Sequence, residues 1–162
     1  MLTFLVPAAL AGKWDGSDPD VSAERIVPAA PEVVFQHLLD LANLRAMFPT
    51  DCVGLWEPGE RTFGEGANAL VRYDMAAMHR KLPMTLVHAD APRTIDLDHL
   101  GNRGFVTRFT LTPVEGGTNV RIDTPLNAPP WPLDGYYFRV VQPEWQGCYQ
   151  RALGNLATNV TK

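Results

Sequence analysis

The chain has no apolar run long enough to cross a bilayer, which excludes a membrane-spanning helix. It has no basic block, and its formal net charge is −4, so nothing in it is suited to draw in nucleic acid or an anionic membrane surface. It contains no phosphate-binding glycine loop, no dinucleotide fingerprint and no nucleophile elbow. Cysteine is scarce. Cys52 and Cys148 fit neither a metal spacing nor a disulfide framework, and two reduced, half-buried thiols are expected. Of the 4 histidines, His79, His88 and His99 fall on segments that can be neighbours, so a metal site is conceivable. No carboxylate-rich helix motif supports one, and no metal or cofactor is expected.

What is present is ordinary for a globular domain: 162 residues, 46% apolar and 20% charged. That length buries a proper core without staples. The 14 prolines and 13 glycines mostly stand where strands should end. Leu2 to Leu10 is apolar, and Ala9-Leu10-Ala11 resembles a cleavage site, but the positive flank of an export signal is missing and Pro7 interrupts the run. Residues 1–20 are therefore expected to be a leader and polar linker before a domain over 21–162. A cytoplasmic location is expected, with export as the alternative.

Val21 to Val27 reads as a first strand ended by Pro28. Pro31-Glu32 opens a helix that buries Val34, Phe35 and Leu38, and a second short helix runs from about Leu41 to Phe48. Strands follow at about Asp51–Glu57, Ala67–Met75, Lys81–Ala89 and Thr94–Leu100. Phe105, Thr107, Phe109 and Leu111 alternate with Arg108, Thr110 and Thr112 after the turn Gly101-Asn102-Arg103-Gly104. Gly116-Gly117 turns the chain into Val120, Ile122 and Thr124. From Glu144 onward Trp145, Tyr149, Ala152, Leu153, Leu156 and Val160 form one helical stripe, with Pro143 suited to the first turn. A long final helix after so many strands needs a sheet to lie in.

This order closely resembles the helix-grip fold of the START-like superfamily. That group includes the birch-pollen-allergen family and the polyketide cyclase/dehydrase and lipid-transport family. The resemblance is carried by Ile26-Val27-Pro28-Ala29-Ala30-Pro31-Glu32-Val33-Val34-Phe35, by Leu39-Asp40-Leu41-Ala42-Asn43-Leu44 and by Val87-His88-Ala89-Asp90-Ala91-Pro92-Arg93. Phe109 to Pro113 and Gly117 to Val120 add to it, and the match covers about Val21 to Val160. It implies an α+β fold: a curved antiparallel sheet of about seven strands around the C-terminal helix, with two short helices after strand 1. It also implies an internal cavity for a hydrophobic small molecule.

Polar side chains that share parity with apolar ones should face that interior. Tyr73, His99, Thr107 and Thr124 meet the test, and His88 does if its strand stays in phase with Met84 and Leu86. His99 is the candidate for proton transfer and Tyr73 for orienting a ligand, with local satisfaction in an ordinary core as the alternative for each. The rest of the expected pocket wall is Val71, Leu97, Phe109 and Ile122 on the sheet, Phe48 and Trp56 before it, and Trp145 and Tyr149 on the final helix. Trp131, Tyr136, Tyr137 and Phe138 enrich the same region in aromatics, and the Asn127–Pro132 loop would frame the mouth. Arg72, Asp74, Arg108 and Asp123 alternate outward as solvated charge pairs.

Three functions fit these residues. One is a holder of a hydrophobic molecule such as a lipid or polyketide-like compound. The second is a cyclase, aromatase or dehydratase using His99 and Tyr73. The third is a module that docks a protein partner through the leader or loops. The sequence is silent on oligomeric state.

Overall fold

The computed structural model describes residues 20–75, 78–99, 106–125 and 134–161. The leader over 1–19, the Gly101–Gly104 turn, Phe105 and the Asn127–Pro132 loop with Trp131 lie outside those residues. Seven described strands form one antiparallel sheet in the order β1-β7-β6-β5-β4-β3-β2. They are β1 Val21–Val27, β2 Val53–Pro58, β3 Asn68–Met75, β4 Met78–Asp90, β5 Thr94–Asp98, β6 Val106–Val114 and β7 Gly117–Thr124. The first two strands thus form opposite edges. The chain between them, carrying α1 (Pro31–Leu38) and α2 (Leu41–Met47), joins those edges only because the sheet curls into a half-barrel.

Local chemistry sets these turns. Pro31 stands in the first turn of α1, where its missing N–H costs nothing, and Glu32 follows it. The Asp40 carboxylate accepts from the Ala42 N–H at 2.8 Å and caps α2. The β6–β7 hairpin turns at Gly116 (φ +85°) and Gly117 (φ +149°). A Cβ on Gly117 would lie 2.1 Å from the Val27 carbonyl oxygen, because the start of β7 lies closely alongside the end of β1, where Val27 pairs with Thr118. Gly117→Ala should therefore cost about 2 kcal/mol or more, read as a lowered urea midpoint with an unchanged slope. A variant as stable as the parent would show that the close approach is absent.

The C-terminal segment runs from a short turn, α3 (Asp134–Tyr136), through a π-helical turn (Tyr137–Val141) into α4 (Gln142–Asn159). The Gln142 N–H bonds the Tyr137 carbonyl, five residues back. Pro143 follows immediately; it has no N–H to offer one turn back, and its ring would crowd that carbonyl. Widening the helix just before it removes the conflict. The helix thus begins earlier than the apolar stripe predicts.

Trp145, Cys148, Tyr149, Ala152, Leu153 and Leu156 are the buried face of α4. Its flanks hold both margins of the half-barrel. On one flank Gln146 accepts from the Ser22 N–H at 3.3 Å and donates to the Ser22 carbonyl, taking the place of a neighbouring strand on the free edge of β1. Gln142 donates to the Asp20 carbonyl beside it at 2.5 Å. On the other flank Asn155 donates to the Met47 carbonyl at 2.9 Å and Arg151 pairs with Asp51 at 2.7 Å. Between them Cys148 is bonded to Cys52, with Cα atoms 6.2 Å apart. The expectation of two reduced thiols is corrected here. The fold brings together residues separated by 96 positions, a proximity that spacing along the chain cannot show.

Candidate functional site

Beneath α4, side chains from three strands, from the residue after β5 and from the helix meet in one hydrogen-bonded set. The hydroxyl of Tyr73 on β3 is bonded to Nδ1 of His99, which follows β5. Nε2 of His99 lies 2.9 Å from Oγ1 of Thr107 on β6. Thr107 is 2.9 Å from Oγ1 of Thr124 on β7 and 3.2 Å from the hydroxyl of Tyr149 on α4. Thr124 and Tyr149 close a three-membered ring at 2.7 Å. All five side chains are buried.

The protonation states follow from that burial. Desolvation lowers the His99 pKa to about 4, against a smaller opposing pull from Asp98, so the imidazole is neutral at pH 7. Desolvation, reinforced by the neighbouring Tyr149, holds the Tyr73 phenol well above its ordinary range. Burial pushes Tyr149 up to about 12, against the opposing effect of its bonds to Thr107 and Thr124. Both tyrosines are therefore phenols.

A neutral set has one proton on each hydroxyl and one on the imidazole. One arrangement uses them all. Tyr73 donates to Nδ1, and Nε2–H donates to Thr107. Around the ring, Thr107 donates to Tyr149, Tyr149 to Thr124 and Thr124 back to Thr107. The opposite tautomer, with the proton on Nδ1, leaves the Tyr73 proton without an acceptor in the set.

An aromatic wall adjoins this set. Tyr73 lies against Trp145 with centroids 5.8 Å apart, Trp145 meets Tyr149 edge-on at 5.7 Å, and Tyr149 meets Phe48 edge-on at 6.3 Å. Phe48 is 6.4 Å from Trp56, and their planes are 31° apart. Trp56 reaches the inner face because the pairing of β2 with β3 shifts between Val53 and Trp56, turning Leu55 outward. Its indole N–H is buried and has no hydrogen-bond partner. Val71, Leu97, Phe109 and Ile122 are fully buried beside these rings, and Tyr137 is buried, while Tyr136 and Phe138 are exposed.

His88 is corrected. The register of β4 against β5 slips between Leu86 and His88, so Val87 is the extra residue and His88 falls opposite the outward Asp96. Its side chain is 55% exposed, near Glu65. His79 is also outward, 3.1 Å from Asp74, so the sheet separates it and His88 from His99. Among the described residues no histidine, cysteine and carboxylate groups gather as metal ligands. The outward charges pair across strands in one case, Arg108 of β6 with Asp96 of β5, and two residues apart along one strand in the others. Arg108 makes two bonds to Asp96 at 2.7 and 2.8 Å, Arg121 pairs with Asp123 at 2.9 Å, and Arg72 with Asp74 at 2.8 Å. Gln146 lies off the apolar stripe; no sequence signal marks its bonds to Ser22 of β1, or the bond of Gln142 to Asp20 just before β1.

The family model described as polyketide cyclase / dehydrase and lipid transport matches residues 18–161. No curated protein matches the chain. Among solved structures, the chain is similar to a protein named KanY, studied by NMR in solution. The TM-score is 0.75 at 17% identity, covering 88% of this chain and 97% of that one. TTHA0849 from Thermus thermophilus gives a TM-score of 0.63 at 20% identity, covering 87% and 96%. Aha1 from Colwellia psychrerythraea, solved as a dimer, gives 0.60 at 17%, covering 86% and 94%. At these identities the likeness is one of fold.

Proposed function

Because the chain belongs to the polyketide cyclase, dehydrase and lipid-transport family, we propose that it holds a hydrophobic small molecule between the curled sheet and α4, and holds it without transforming it. The observation that supports holding over catalysis is the closed hydrogen-bonded set. All its protons are already spent on one another, and with the His99 pKa at about 4 little of the residue is available as an acid near neutrality. The aromatic wall of Phe48, Trp56, Trp145 and Tyr149 supplies apolar surface for a planar or polycyclic guest.

One observation favours a second reading, a cyclase, aromatase or dehydratase. The Tyr73–His99 bond is the pairing that a proton relay needs, and proximity supplies much of the rate in such sites. The two readings separate on His99→Gln and Tyr73→Phe. For a holder, native mass spectrometry of protein purified from its own host should show the same retained apolar compound in the parent and in both variants. For an enzyme, the compound stays bound while its conversion falls by two or more orders of magnitude. Protein that carries no guest and takes up no apolar probe would end both readings.

Among the described residues no helix is long and apolar enough to cross a membrane. The buried Cys52–Cys148 bond favours folding in an oxidising compartment over the cytoplasmic location expected from sequence.

A further inference from the structure

The geometry points to the indole N–H of Trp56 as the anchor for a guest that is apolar except for one hydrogen-bond-accepting oxygen of the ketone kind. This rests on the interior being a small-molecule site and adds the chemistry the site selects. The five polar groups under α4 satisfy one another and ask nothing of a guest. Trp56 differs. It is 5% exposed, and its Nε1 has no partner.

A buried donor that the chain leaves unmet costs free energy comparable to a lost hydrogen bond, so a guest that brings an acceptor to it gains what the chain does not supply. The neighbouring ring does not supply one. An indole N–H lies in the plane of its own ring, and the Phe48 plane is only 31° from it, so the N–H does not point into the Phe48 face. The donor stands where the β2 register shift turns a large side chain inward at the edge of the aromatic wall. Trp56 pairs with Val71 of β3, and Val53, Ala69 and Val71 belong with it to the buried hydrophobic core. An ionised guest would be desolvated there without compensation, whereas a neutral carbonyl meets the N–H and leaves its hydrocarbon frame against the rings.

Fluorenone and fluorene share one flat tricyclic frame and differ by the carbonyl; indanone and indane form a smaller matched pair. Titrated into the full chain, the ketone of the pair that fits should bind about tenfold more tightly than its hydrocarbon. In Trp56→Phe that gap should close, mostly by weakening of the ketone. In the 15N-labelled parent, the Trp56 indole resonance should move downfield with the ketone and not with the hydrocarbon. That measurement needs no substitution and decides the matter if Trp56→Phe does not fold. Equal binding of ketone and hydrocarbon, with a Trp56 resonance indifferent to the carbonyl, would overturn the anchor and leave the small-molecule site standing. If neither pair binds, the site itself is refuted and the anchor with it.

Discussion

Replacing Cys52 and Cys148 together by alanine is expected to destabilise the protein by about 4 kcal/mol and to lower its melting temperature by roughly 10 °C. The magnitude comes from the 96-residue separation that the bond closes, since a long loop loses much entropy in the unfolded chain when it is tied. The native contribution adds to this, because both residues are buried between α4 and the turn that leads into β2. Either single substitution should cost about as much as the pair, as each breaks the same bond. Scanning calorimetry of the three variants, with and without reductant, gives the measurement. Thiol titration of the unreduced protein in denaturant should find no free thiol from this pair. Finding two, with a melting temperature indifferent to reductant, would remove the cross-link and the case for an oxidising compartment together.

Acidification should produce the second large effect. The His99 pKa stands at about 4 in the folded chain against 6.5 for an ordinary histidine. Between those values the unfolded chain binds a proton that the folded chain refuses. Stability is therefore full above about pH 6.5, falls as the pH drops towards 4, and stops falling on this account below that. The gap of about 2.5 pH units corresponds to about 3 kcal/mol. His37, also lowered by burial, contributes in the same direction. Asp51 and Asp74 do not blur the window. Hydrogen bonds from Arg151 to Asp51, and from His79 and Arg72 to Asp74, hold these carboxyls below the ordinary 3.8, so their contribution is lost only at lower pH. His99→Gln isolates the effect. A glutamine amide can accept from Tyr73 and donate to Thr107 as the neutral imidazole does, yet it takes up no proton. Urea unfolding at pH 7 and pH 4.5 should show a smaller loss in the variant. Equal losses would mean that His99 is not the buried neutral group described above.

Much of this architecture was legible in the sequence because two periodicities carry it. Alternation in β3, β6 and β7 marks Tyr73, Thr107 and Thr124 as inward, and the 3.6-residue stripe places Trp145 and Tyr149 against them. Those residues do meet in the fold. Parity failed where a strand lost its count. At Val87 one extra residue carried His88 to the outside, and nothing in Leu86-Val87-His88-Ala89 announces it. Contacts between distant segments were equally silent, since Cys52 with Cys148 and Gln146 with Ser22 depend on where α4 comes to rest. The unmet N–H of Trp56 belongs to the same class. A tryptophan in an apolar strand reads as core, and only the spatial neighbours reveal that none of them accepts.

The grasp of Gln146 on Ser22 bears on how this molecule behaves at high concentration. An open sheet has two margins, and each is a template on which a second molecule can lay a strand. Along β1 the template is spoiled because the Ser22 amide and carbonyl are already taken by a side chain. Along β2 it is spoiled by the slipped register and by Pro58, which has no hydrogen to give. Each rim is thus blunted at a defined point against the laying-on of a second copy's strand, without the barrel having to close.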